Sequence, residues 1–531
     1  MTRAAAWFAI GLVAVTAGGL ALRLPRLGQR PMHGDEANQA FRAAALLETG
    51  VYRYERADHH GPSLCWFTWP VLRLAGATDL AHSHEAQYRL VPVLFSVGLI
   101  LLLALVADGL GRPAVLVAGL LTALSPAMVF YGRYFIQETL LVFFTLGAIG
   151  SLWRYTRTRS LLWAAAAGAC FGLMHATKET WILAAVAMVA GLVLALAWTR
   201  WRDGPLDVAP WTWFGWRPLL VAGVAAALMA VMFYSNFGRD WQGPLDSLLA
   251  YWNYLHRGSQ GGEGGIHVHP WYYYLQLLAA FRPARGFFWT EGLVLALALV
   301  GVVAALARNA LPAEHRPLAR FLAFYTLTLT AIYAAIPYKT PWCLLSFLDG
   351  MILLAGVGAW VLLRGVPGRM GKALVALLLI AGLTHLGREA YALNFRFAAD
   401  QRNPYIYAHT AADVLNLARQ LERLAQVAPE RHALMVHVVT PENYWPLPWY
   451  LRAFDAAHVG YWQDAAAWAH DTVRLPPPAI VLLTADVQPA VDAALRGAYN
   501  RQMLFGLRPG VFLSVYVRDD LWQAFCNRQP R

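Results

Sequence analysis

Apolar stretches of about 20 residues, each long enough to cross the ~30 Å hydrocarbon core of a bilayer, recur through the first three quarters of this sequence and stop near Tyr391. Inside hydrocarbon every backbone polar group must be satisfied within its own segment, so such a chain folds as a bundle of spanning helices. The spans expected are 5–24, 86–108, 113–132, 138–154, 160–177, 180–198, 218–237, 287–307, 318–336, 343–363 and 372–391, roughly eleven in all. The stretch from Gly61 to Leu74 is shorter and interrupted by Pro62 and Pro70, which predicts an interfacial or re-entrant helix. The run from Ala4 to Leu22 resembles a signal peptide, but it lacks a small-residue cleavage site and is followed by Arg23, Pro25 and Arg26, so it reads as an uncleaved first span.

With 58% hydrophobic and 14% charged residues, the chain is far from the balance of a soluble globular domain. Its formal charge of +12 is carried by clusters in the turns between spans, not along one polar face, which argues against nucleic acid as a partner. With the N-terminus inside, Arg112, the Arg154 to Arg159 group, the Arg200 to Arg217 group, the Arg308 to Arg320 group and the Arg364 to Lys372 group fall on the cytoplasmic side. The same parity puts the loop 25–85, the segments around Arg133, Lys178, Gly258 and Lys339, and the whole tail outside the cytoplasmic membrane. Reading the Gly61 stretch as a full span would invert every later loop. Cys65, Cys170, Cys343 and Cys526 are scattered and suggest no disulfide framework.

The membrane region is expected to occupy 1–391 and a small extracytoplasmic α/β domain 392–531. From Thr410 to Val427 the residues Val414, Leu417, Leu421 and Leu424 recur at three- and four-residue spacing, with Leu415 and Ala425 widening the stripe, which predicts an amphipathic helix. His432 to Val439, Ala479 to Thr484 and Val511 to Val517 read as short buried strands. The Gly-rich stretch Gly258 to Gly265 reads as a mobile loop with functional potential.

The first outer loop carries His33-Gly34-Asp35-Glu36 and then Asp58-His59-His60-Gly61-Pro62. Adjacent carboxylates point to different sides on most backbones, so one can face a substrate atom while the other orients or pairs. The ordinary alternative makes Asp35 the N-cap of an alanine-rich helix from Ala37 to Leu47. Arg133, Lys178 and Lys339 each place an isolated cation where the positive-inside tendency disfavours one, which fits convergence on a phosphate; a boundary arginine such as Arg133 can also simply snorkel, or pair with Glu36. The histidines of the outer loop could join Asp35 in a divalent-metal site, with His33, Asp35 and His59 as candidates, although loop histidines are commonly plain surface residues. Trp445, Trp449 and Tyr450 suit sugar stacking, core packing or a membrane-facing belt. No Walker A and no Rossmann-type Gly-x-Gly-x-x-Gly follows a strand, so a nucleotide-driven transporter is disfavoured.

A short loop ending in Asp-Glu after the first span, then a His-x-Pro element before aromatic residues, resembles the polyprenyl-phosphate-dependent glycosyltransferases of the GT-C fold, such as the protein O-mannosyltransferases and the lipid A aminoarabinose transferases. As a set, His33-Gly34-Asp35-Glu36, Tyr131-Gly132-Arg133-Tyr134-Phe135, Lys178-Glu179-Thr180 and Tyr338-Lys339-Thr340-Pro341-Trp342 are similar to the flippase-activity-associated family of prokaryotic membrane proteins, related to the archaeal N-glycosylation machinery. That likeness extends to Tyr444-Trp445-Pro446-Leu447-Pro448-Trp449-Tyr450. The resemblance implies an α-helical, polytopic GT-C-like fold and an inverting transfer of a hexosyl or pentosyl unit from a polyprenyl-phosphate donor to a lipid, glycan or protein acceptor. Asp35 would be the base and Glu36 its orienting partner. Arg133, Lys178 and Lys339 would contact the donor phosphate, and His60, Glu138, Glu179, Tyr338 and Trp342 the substrates. No nucleotide is required, and a divalent metal is the one cofactor candidate. The sequence departs from the His-Pro-Pro-like element at Gly61. The alternative is a flippase-associated protein that keeps the fold and binds a lipid-linked oligosaccharide without transferring it.

Overall fold

The computed structural model describes residues 3–56, 60–205, 215–260, 267–473 and 475–528, with the side chains of 254–260 and 502–503 set aside. The membrane region begins with helix α1 (Arg3–Arg23), then α2 (Gly34–Thr49), α3 (Ser63–Leu74) and α4 (Glu85–Leu102), which runs on through a tighter turn into α5 (Ala107–Leu110). There follow α6 (Arg112–Leu124), α7 (Pro126–Tyr131), α8 (Glu138–Thr158), α9 (Leu161–His175), α10 (Trp181–Asp203) and α11 (Trp216–Tyr234). The last are α12 (Gln242–Gln260), α13 (Tyr273–Ala279), α14 (Gly292–Leu306), α15 (Arg316–Ala335), α16 (Leu345–Gly365) and α17 (Gly368–Tyr391).

Every expected span coincides with a helix. Among the described residues seven helical segments are long and apolar enough to cross a membrane, and α6, α9 and α14 are shorter apolar helices. The stretch expected at 113–132 is broken between α6 and α7, where Ser125 caps α7 by accepting from the Met128 N–H (3.3 Å). At 12 residues α3 is about 18 Å long by the ~1.5 Å rise per residue, too short to span. The arginine-rich turns gather at one end of the bundle, where Arg154 pairs with Asp108 (3.1 Å) and Arg320 with Asp203. The segments carrying the candidate site gather at the other. Helices approach closely at small residues: a Cβ on Gly168 of α9 would lie 2.0 Å from the Ala222 carbonyl oxygen of α11.

The tail holds α18 (Val414–Val427), β1 (Val436–Val439), α19 (Leu447–Tyr450), β2 (Val459–Trp462), α20 (Ala465–Thr472), β3 (Ile480–Leu483), α21 (Gln488–Ala494), β4 (Tyr499–Arg508), β5 (Val511–Arg518) and α22 (Asp519–Arg528). Its sheet has the order β2-β1-β3-β5-β4, with β1 parallel to β2 and β3, and β5 antiparallel to β3 and β4. Leu417, Leu421 and Leu424 of α18 pack on Val436, Ile480 and Val515, and the other face covers Val481 and Leu483 with Trp468 and Val491. The strand expected from His432 starts only at Val436, because residues Arg431–Ala433 form a 3₁₀ turn.

The tail docks on the loop between α1 and α4. Trp449, fully buried, donates its indole N–H to Glu85 (2.8 Å), packs edge-on against Tyr88 and lies under the Arg452 guanidinium at 3.9 Å. Met32 donates its N–H to the Tyr450 hydroxyl (2.8 Å) and accepts from the Thr410 hydroxyl (2.6 Å). Of the three roles open to these aromatic residues, packing is the one Trp449 fills. Trp445 lies edge-on to Phe41 (5.4 Å).

Candidate active site

The acidic motif opens α2, and the N-cap is His33, not Asp35. The His33 Nδ1 accepts the Asp35 N–H (3.0 Å) while Glu36 reaches back to the His33 N–H (3.1 Å). With Nδ1 used as an acceptor, the ring proton sits on Nε2 and is donated to the Tyr407 carbonyl (3.0 Å). Neither nitrogen is left for a metal, which removes His33 from the expected metal set. His59 lies outside the described residues, and no group of three His, Cys, Asp or Glu side chains among the described residues could hold an ion.

Glu36 is fully buried and accepts five hydrogen bonds: Arg89 Nε (2.8 Å), Arg89 Nη2 (2.6 Å), Arg30 Nη2 (3.1 Å), the Phe135 N–H (2.9 Å) and the His33 N–H. Burial opposes ionisation, but the two guanidinium groups override it and hold the carboxyl far below the usual range. Glu36 therefore ties α2 to α4 and to the turn before α8, and its bonds do not run to Asp35. The Asp35 side chain is 54% exposed.

The cations expected at a phosphate are each engaged. Arg133 donates to the carbonyls of Arg23 (2.9 Å) and Pro25 (2.8 Å), closing the end of α1, and stands 4.6 Å from the Phe395 ring. It does not pair with Glu36; Arg30 and Arg89 do. Lys178 is buried in an ion pair with Glu138. Burial would discharge Lys178, yet the Glu138 carboxylate outweighs that and keeps it protonated. Lys339 donates its ammonium to the carbonyls of Ile336 and His269, and its backbone N–H bonds the His267 carbonyl (2.9 Å). Glu179, next in chain to Lys178, turns the other way and meets His60 Nδ1 at 2.9 Å. Gly61 makes that approach possible, since a Cβ there would lie 2.2 Å from the Ala176 carbonyl oxygen.

Around the exposed face of Asp35 stands a ring drawn from four segments. His33 lies 6.0 Å from Trp342 and 5.0 Å from His409, and Trp342 lies 5.9 Å from Tyr407. Tyr407 and His267 share a hydrogen bond (2.5 Å), and His267 stands 4.6 Å from Tyr338. Burial, then Tyr338, then the Asp35 charge push the Tyr407 hydroxyl up to about 12. Burial draws His267 below the ordinary imidazole value while Asp35 pulls it back, so Tyr407 and His267 both feel the carboxylate. Tyr338 and Trp342, the two aromatic candidates for substrate contact, stand in this ring. Tyr407 and His409 went unread, because an aromatic residue after the last span carries no signal of its own.

Residues 67–239 match the sequence profile of the dolichyl-phosphate-mannose-protein mannosyltransferase family. The match begins beyond Asp35. No curated protein sequence matches the chain. Among solved structures, ArnT from Cupriavidus metallidurans in the apo state superposes with a TM-score of 0.62 at 15% identity, covering 97% of this chain and 98% of ArnT. The form of that protein bound to undecaprenyl phosphate gives the same score. The archaeal oligosaccharyltransferase AglB from Archaeoglobus fulgidus, in complex with an inhibitory peptide and a dolichol-phosphate, reaches 0.52 at 12% identity over 92% of this chain and 70% of its own. The arabinofuranosyltransferase AftD from Mycobacteria reaches 0.50 at 16% identity over 97% of this chain and 40% of its own. The chain has the GT-C fold, with multiple membrane-spanning helices and a small C-terminal sheet domain.

Proposed function

We propose that this GT-C-fold chain is a glycosyltransferase of the cytoplasmic membrane that moves a sugar from a polyprenyl-phosphate donor to an acceptor on the extracytoplasmic side, with inversion. The carrying observation is the division between two neighbouring carboxylates: Glu36 is buried and fully bonded, while Asp35 is exposed inside a ring of aromatic and imidazole side chains. Asp35 removes the acceptor hydroxyl's proton, the acceptor oxygen attacks the anomeric carbon, and the bond from that carbon to the phosphate oxygen breaks with its electron pair on the phosphate. Lys339 and Arg133, each held by carbonyls with no carboxylate partner among the described residues, supply positive potential for the departing phosphate. Lys178 is neutralised by Glu138 and serves to fix the Lys178-Glu179 turn. His60 with Glu179, and Tyr338 with Trp342, shape the substrate cavity. The α/β tail lies outside the membrane and braces the acidic motif from the acceptor side.

Asp35→Asn is expected to abolish transfer by full-length protein in lipid nanodiscs supplied with a panel of polyprenyl-phosphate sugars, while melting as wild type. Full activity in that variant removes Asp35 from the mechanism. Donor binding without turnover by the wild type across the panel favours the flippase-associated reading.

A further inference from the structure

The far end of α2 bounds a second, unrelated site. There α2, α3 and the turn after α11 enclose a notch of about 370 Å³ walled by Trp66, Trp69 and Phe237, with the exposed Arg73 and Arg239 and the fully buried Asn236 completing it. Trp66 and Phe237 meet edge-on at 4.5 Å, and the Arg73 guanidinium stands 5.6 Å from the Trp69 ring. Arg73 donates to the Leu47 carbonyl (3.4 Å) and Arg239 to the Gly50 carbonyl (2.6 Å), which satisfies the last turn of α2. Each guanidinium has five donors in a fixed fork, so most remain for a ligand.

Two further observations mark the notch as more than a capped helix end. Asn236 and Phe237 are consecutive non-glycine residues with φ of 52° and 54°, a backbone state that persists where the surroundings enforce it and that clusters at ligand clamps. The Asn236 Oδ1 accepts from the Tyr52 N–H (3.3 Å), but its Nδ2 is buried with no partner among the described residues. A buried amide donor without an acceptor points to an acceptor from outside the chain.

The surroundings say which acceptor. Leu74 is 90% exposed beside the notch, and Leu245, Leu248, Leu249 and Trp252 form an exposed apolar stripe along α12, at the spacing of a helix lying in a membrane surface. A phosphate bound between Arg73 and Arg239 would have the Trp66, Trp69 and Phe237 rings against it, the pairing of charge and apolar surface that a lipid headgroup and its chain present. It is also remote from Asp35, since roughly 15 residues of α2 at ~1.5 Å each separate the motif from Gly50. We propose that this notch binds an anionic glycerophospholipid, its phosphodiester held by Arg73, Arg239 and the Asn236 amide and the start of one acyl chain lying on Trp66, Trp69 and Phe237. The site is separate from the proposed transfer chemistry and stands whether or not the chain is an enzyme.

The test is native mass spectrometry of delipidated, full-length protein titrated with phosphatidylglycerol, phosphatidylcholine, undecaprenyl phosphate or glycerol phosphate. Phosphatidylglycerol is expected to bind at least tenfold more tightly than phosphatidylcholine, and Arg73→Ala/Arg239→Ala is expected to erase that preference. Should the double variant fail to fold, Asn236→Asp sets a carboxylate against the phosphodiester and is expected to weaken phosphatidylglycerol alone by a similar factor. Unchanged preference in the variant that folds overturns the proposal. So does displacement of the lipid by equimolar glycerol phosphate, which makes it a free-phosphate site, or tighter retention of undecaprenyl phosphate.

Discussion

Asp35 and Glu36 differ because successive helical residues point about 100° apart at the second and third positions of α2. The third position returns to the cap and to Arg89 and Arg30, and the second is left outward. Removing the buried charge strands two buried guanidinium groups, so Glu36→Gln is expected to cost about 3–5 kcal/mol, read as a lower melting temperature and poor yield in detergent. The pH dependence follows from the direction of its shift. The folded state holds this carboxyl far below its ordinary 4.5, so the unfolded chain takes up the proton first. The stabilisation is complete above about pH 5 and is lost as pH falls below that. Melting temperature is therefore expected to fall on acidification in the wild type and to flatten in Glu36→Gln. The acidic pair was legible in sequence, but its division of labour was not. Arg89 lies inside an apolar span and Arg30 in an unremarkable loop, and nothing local shows that both turn onto position 36.

At the level of elements, hydrophobic length alone located the helices of the membrane region, because hydrocarbon permits few alternatives. The short Pro-interrupted stretch forms the 12-residue α3, too short to span. Sequence pattern did less well where tertiary context decides. β2 is four half-buried residues, and β4 is polar with register shifts between Arg501 and Leu504 and between Gly506 and Arg508, so neither shows clean alternation. The departure at Gly61 from the His-Pro-Pro-like pattern has a steric reason in the Ala176 carbonyl. Gly61→Ala must push α3 away from the turn between α9 and α10 and pull His60 off Glu179. Transfer activity is expected to drop on the order of 100-fold, the scale of a ~1 Å misplacement, with the protein still eluting as a folded species.

Across the whole molecule, charge sorts by end: arginine clusters pair with Asp108 and Asp203 at one, and the acidic motif, its aromatic ring and the tail lie at the other. The exposed Cys526 of α22 reports on that polarity, while Cys65 is buried. In intact cells a membrane-impermeant maleimide is expected to label Cys526, and Cys526→Ser to remove most of the signal; labelling only after lysis would place the tail in the cytoplasm. The tail also grips Met32 at two successive peptide groups, through Tyr450 and Thr410, one residue before the motif begins. Chimaeras that graft a foreign tail onto residues 1–391 would lose this clasp, so the two parts of the chain are not interchangeable modules, and a change in one has to be matched by a change in the other.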